Sequence, residues 1–174
     1  RLDNADLAGE TLTTLLEGHP GDARARQAMF AFAARTRRWE DAAGAGEAAL
    51  SRAQDPEVVT ELGLWLGRLH RDQTGDARRS VAAFERVIAV DGTQAEALEA
   101  LNTLYRQVED WDALHRLVSA RIATAPDEER PRLLVDLAEL VLREGSAKAA
   151  LPTLRDALWA DGSNARALVL LEGM

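Results

Sequence analysis

The chain has 174 residues, of which 47% are hydrophobic, 29% charged and only 5% aromatic. This is the balance of a folded globular protein whose core must come from Ala, Leu and Val, which favours closely packed helices. The lack of cysteine excludes disulfides and thiolate metal sites, and no apolar run approaches the roughly 18 residues that cross a bilayer. A net charge of −8 argues against nucleic acid and against an anionic membrane surface, since both are held by basic surfaces.

Hydrophobic periodicity predicts ten helices, at residues 3–17, 22–36, 39–53, 56–71, 76–90, 93–108, 111–124, 128–144, 147–160 and 163–172. No alternating strand pattern competes. Turn-like pairs recur at His19-Pro20, Asp55-Pro56, Asp91-Gly92, Pro126-Asp127 and Asp161-Gly162. Counted from His19, Asp55, Asp91, Asp127 and Asp161, the steps are 36, 36, 36 and 34 residues. Each interval holds two helical patterns, as in a stacked repeat unit. Asp55-Pro56 and Gly75-Asp76 supply stop and start signals, with the proline where a first-turn residue needs no N–H. Thr93 with Glu96 reads as a capping box, Asp110 as a cap, and Gly145-Ser146 as a stop followed by a cap. Connections of two to five residues make consecutive helices antiparallel. Pro152, well inside the ninth helix, should remove one backbone bond and bend that helix slightly.

The second interval carries Leu62, Trp65, Leu66 and Leu69, then Ser80, Phe84, Val87 and the Asp91-Gly92 turn. The third carries Leu98, Leu101, Asn102 and Tyr105, then Leu114, Val118 and Pro126. The fourth carries Leu134, Leu137, Ala138 and Val141, then Ala150, Leu154, Ala157 and Asp161-Gly162. The first is the weakest, with Met29, Phe30 and Ala33, then Ala42, Gly46 and Ala49. At these residues the whole chain resembles the tetratricopeptide repeat family. The resemblance implies an all-α, right-handed α-solenoid of antiparallel helix pairs. Pentatricopeptide RNA binders share the period, and the acidic balance speaks against them. Two-residue insertions, between Leu69 and Ser80 and between Arg121 and Asp127, should lengthen loops and leave the packed faces alone.

The implied organisation is a second helix of a truncated repeat at 1–18, repeats at 19–54, 55–90, 91–126 and 127–160, and a first helix of a truncated repeat at 161–174. Ala8, Leu12 and Leu15 match a second helix, and Leu168 and Leu171 a first helix. The expectation is a fragment of a longer array, lacking the polar capping helix of a natural end. Twenty of the 21 basic residues are Arg, which suggests a GC-rich bacterial coding sequence.

A search for chemistry finds no catalytic, cofactor or metal set. His19, His70 and His115 are far apart in sequence, and Asp112 with His115 makes neither a metal site nor a triad. Gly44-Ala45-Gly46 lacks the preceding strand that a dinucleotide-binding loop needs, so helix packing explains it better. Trp39 and Trp111 read as packing anchors, and Trp65 and Trp159 as core residues.

What remains is a surface. In the family, first helices line the concave face on which partner peptides or domains lie. Transferring that geometry gives Arg24, Gln27, Ala31 and Arg35, then Thr60, Gly63, Gly67 and Arg71, then Glu96, Glu99, Thr103 and Arg106, then Arg132, Asp136, Glu139 and Arg143. The Lys–Asn set that grips C-terminal carboxylates in some family members is missing. Residues 19–90 carry 11 Arg against 10 acids, and residues 91–160 carry 8 basic residues against 13 acids. Arg35, Arg37, Arg38, Arg68, Arg71, Arg78 and Arg79 are therefore candidates for a basic patch that steers an acidic partner. The expected function is a non-enzymatic scaffold binding a protein or peptide partner, with no cofactor, nucleic acid or membrane insertion. The alternatives are a spacer or substrate-presenting arm of a larger enzyme, or an array that self-associates through its ends.

Overall fold

Ten α-helices form among residues 4–174, the residues that the computed structural model describes. They are α1 (Asn4–Gly18), α2 (Ala23–Thr36), α3 (Trp39–Arg52), α4 (Pro56–Leu69), α5 (Ala77–Val90), α6 (Ala95–Gln107), α7 (Trp111–Thr124), α8 (Arg130–Arg143), α9 (Ala147–Ala160) and α10 (Ala165–Glu172). The described ends lie within two residues of the sequence expectation; residue 3, the expected first residue of α1, lies outside the described residues. The fold is all-α, with helices packed in consecutive pairs such as α4 on α5 and α8 on α9.

Side chains at the helix starts explain most boundaries. The carboxylates of Asp22, Asp55, Asp76 and Asp110 accept hydrogen bonds from first-turn backbone N–H groups, satisfying donors that have no partner inside the helix. The expected Thr93–Glu96 capping box does not form. Asp91 captures both the N–H and the hydroxyl of Thr93, at 3.0 and 2.7 Å, and Gln94 caps α6 through the N–H of Ala97. Asp161 holds Ser163 in the same way, and Asn164 caps α10. Ser146 stands at the cap position of α9 but accepts no capping bond through its side chain. Just before it, Gly145 takes the left-handed conformation (φ 82°), as Gly75 does before Asp76 (φ 70°).

The two-residue insertion after Leu69 does not become loop. It continues α4 as a π-helical turn, His70–Thr74, before Gly75 turns the chain. This places His70 in the interior at 1% exposure.

The helices fall into two compact units, one ending at Val108 and the other running Glu109–Met174. In the first, Leu16, Met29, Phe32, Leu62 and Leu66 build a core with many alanines, among them Ala25, Ala33, Ala42 and Ala49. Glycines let its helices approach closely. A Cβ on Gly46 would stand 2.3 Å from the Trp65 ring, and one on Gly67 2.5 Å from the Phe84 ring. Gly44, two residues earlier and so on the opposite side of α3, meets nothing within 4 Å. Helix packing therefore explains Gly46 and not Gly44. In the second unit Val135, Ala138, Ala150, Leu154, Ala157 and Ala167 form the core. Trp159 is not part of it: the side chain expected inside is 92% exposed.

Candidate functional site

A hollow in the first unit runs between α2 and α4. It encloses about 460 Å³ and is lined by Ala23, Arg26, Gln27 and Phe30 from α2 and by Glu61, Leu64, Trp65 and Arg68 from α4. Phe30 is 40% exposed, and its ring lies 5.1 Å from that of Trp39 at the start of α3, so one face is anchored and the other faces solvent. Trp65 is half-buried, its ring held against Gly46. The two charged walls are already matched. Arg26 bridges α2 to α4 by pairing with Glu61, and also donates to the carbonyl of Pro20 at 3.3 Å. Arg68 makes a two-pronged pair with Glu96 of α6. That hydrogen bond holds the Glu96 carboxyl below its ordinary pKa.

A second, smaller hollow of about 250 Å³ lies at the end of α4 against α6, among Arg71, Glu96, Glu99, Ala100, Thr103, Leu104 and Gln107. The fold thus brings four expected surface residues together: Arg71, Glu96, Glu99 and Thr103. Of the α2 set, Gln27 lines the larger hollow, whereas Arg24 and Arg35 are exposed and, like Ala31, are not in its lining. Gly63 and Gly67 turn toward Val87 and Phe84 of α5. Arg106 donates to Asn102 at 3.2 Å.

In the second unit Arg132 borders a shallow hollow with Asp127, Glu128 and Pro131. Asp136 and Glu139 jointly hold Arg166 of α10, at 2.8 and 2.7 Å, and Asp136 is buried. Arg143 covers the ring of Trp111 at 3.8 Å, a cation–π contact.

The groove residues Arg26, Phe30, Glu61, Leu64 and Trp65 stand outside the surface set expected from sequence, and Arg68 belongs to the expected basic patch. Phe30 and Trp65 match apolar positions of the repeat pattern, so their pattern signals packing and hides their exposed faces. Arg26 carried a sequence signal, since it stands where a bulky apolar residue is usual in the pattern.

The expected basic patch is largely neutralised. Arg38 pairs with Asp6 and Asp41, Arg68 with Glu96, Arg71 with Asp72, and Arg79 with Glu40 and Glu47. Among the described residues, Arg35, Arg37 and Arg78 keep no carboxylate partner.

Solved structures decide the fold type. YrrB, a TPR protein with an unusual peptide-binding site, is 14% identical and superposes with a TM-score of 0.53 over 97% of this chain and 84% of that one. MamA is 15% identical, with a TM-score of 0.52 over 95% of this chain and 99% of that one. The fold is of tetratricopeptide-repeat type. Neither a protein-family model nor a curated protein matches the sequence.

Asp112 and His115, one turn apart, make no hydrogen bond to each other, and among the described residues no three His, Cys, Asp or Glu side chains are placed to hold a metal. Among the described residues, no helix is long and apolar enough to cross a membrane. His70 is the one buried histidine. Its Nε2 lies 3.1 Å from Glu47 of α3 and its Nδ1 3.3 Å from the Thr74 hydroxyl. Burial, and then the Arg79 charge, push its pKa below the ordinary histidine value.

Proposed function

We propose that this chain is a protein-interaction module that receives a peptide or protein segment along its first-helix side, and that it performs no catalysis. The observation that carries this reading is the α2–α4 groove. It pairs exposed aromatic surface from Phe30 and Trp65 with the Gln27 amide, which can bond a peptide backbone. The Arg26–Glu61 and Arg68–Glu96 pairs leave its walls without free charge, so the groove suits an apolar side chain on an extended segment better than an acidic tail. YrrB, which has the same fold type, has an unusual peptide-binding site, and this supports the same kind of partner here. Arg71, Glu99 and Thr103 would contact the segment where it continues past α4. Arg24, Arg35 and Arg106 would serve a larger partner at the rim of the first unit, Arg132 would offer a separate contact on the second, and the repeat boundaries drawn from sequence would set the register within each. Asp136, Glu139 and Arg143 are engaged internally and would contribute shape rather than free charge.

The test uses the chain as bait, identifies the bound protein, and measures its affinity again with Phe30→Ala and Gln27→Arg. Both sites are on the surface, so circular dichroism should be unchanged. The expected loss is about tenfold or more for each, roughly 1.4 kcal/mol. An identified partner that binds both variants as tightly as the parent chain removes the groove from the reading.

A further inference from the structure

On α9, Lys148, Pro152, Arg155 and Trp159 are all exposed, and their spacing of four, three and four residues places them in one stripe along the helix. Trp159 is 92% exposed, and neighbouring Leu151 is 45% exposed. Packing does not account for a tryptophan there. Trp159 is the thirteenth residue of its helix; the thirteenth residues of α3, α5 and α7 are Ser51, Ala89 and Ala123, small and likewise exposed. The position points outward in each of these helices, so its exposure belongs to the fold, and only in α9 does it carry a large apolar group.

Two more features share the stripe. Lys148, the only lysine in the chain, has no ion pair among the described residues, and Arg155 has only a loose contact of 3.4 Å with adjacent Asp156. Pro152 has no N–H to give the Lys148 carbonyl, so this acceptor, four residues back along the stripe, lacks its helical donor. Two under-used cations and an aromatic anchor thus lie in line. Charge chooses the partner. Two cations are fewer than the four to eight that bind an anionic bilayer. A protein segment needs only two or three carboxylates and one apolar anchor.

We propose that the Lys148–Pro152–Arg155–Trp159 face of α9 docks an acidic protein segment carrying a large apolar side chain, which packs on the Trp159 ring while its carboxylates meet Lys148 and Arg155. The α2–α4 groove plays no part in this.

The test selects random phage-displayed peptides on the immobilised whole chain, with the Trp159→Ala chain as counter-selection. Enriched sequences should combine Asp or Glu with a large apolar residue. Synthetic copies should bind at least tenfold more weakly to Trp159→Ala and to the double variant Lys148→Glu/Arg155→Glu, and no more weakly to Phe30→Ala. All substituted residues are exposed, so the variants should keep the parent's helicity and melting temperature. Enrichment no greater than on the Trp159→Ala chain overturns the proposal, as do enriched peptides without acids. Trp159-dependent sedimentation with phosphatidylserine vesicles in place of peptide binding also overturns it.

Discussion

His70 is fully buried, yet its ring meets a carboxylate at one nitrogen and a hydroxyl at the other. Glu47 favours the protonated ring, but burial and the Arg79 guanidinium outweigh it, so the folded-state pKa lies below the ordinary value of 6.5. The unfolded chain takes up this proton near pH 6.5, while the folded chain resists until a lower pH. The stabilisation is therefore complete above about pH 6.5 and is lost as pH falls through the folded pKa. Glu47 stays ionised through this window, because its hydrogen bond from Arg79 lowers its own pKa. Urea midpoints measured between pH 7.5 and 5.5 should fall with pH, and His70→Gln, which keeps a donor for Glu47 and cannot titrate, should reduce the slope. An equal slope in the variant would assign the effect to another group.

Between helices, spacing is set by where side chains are missing. A Cβ on Gly63 would lie 2.5 Å from Val87 Cγ2 and 3.1 Å from the Ala83 carbonyl oxygen. Valine has little rotamer freedom and the carbonyl belongs to the backbone of α5, so neither yields easily. Gly63→Ala should cost about 1–3 kcal/mol as α4 is pushed from α5. Gly44→Ala, exposed and mid-helix in α3 with nothing within 4 Å, should instead gain about 0.5–1 kcal/mol. Chemical denaturation of the two variants checks the pair, and equal effects would refute the contact argument. The same elements show what the sequence could disclose. Helix ends were legible because Asp55, Asp76 and Asp110 cap locally and the apolar period is strong. The π-helical turn was not, since two inserted residues look the same whether they extend a helix or loop out. The groove was only partly legible. Gly63 and Gly67 sit within one turn of Leu64, Trp65 and Arg68, and a small error in helix phase exchanges the face toward α5 for the face toward α2. Trp159 escaped because an aromatic residue at helical spacing ordinarily signals core.

At the scale of the whole molecule, every substantial contact joins elements no more than two places apart along the chain, such as α1 with α3 and α8 with α10. Stability in such a chain is close to a sum of local terms, so damage should stay near its source. Leu154, fully buried at the centre of the α8–α9–α10 core, gives the cleanest probe. Truncation to Ala should cost about 2–5 kcal/mol through lost burial and the cavity left behind. In hydrogen exchange, amides of α8, α9 and α10 should lose protection by about 1.5 to 3.5 orders of magnitude, following the factor of ten per 1.4 kcal/mol. Amides of α2, α3 and α4, whose core is built from Met29, Phe32, Leu62 and Leu66, should exchange as in the parent chain. A uniform loss of protection from α1 to α10 would mean that the chain opens as one cooperative body, and nearest-neighbour additivity would then be wrong for it. If the loss is confined to α8–α10, those helices can be weakened without altering the α2–α4 groove, which would make the binding consequences of substitutions in the two places separable by experiment.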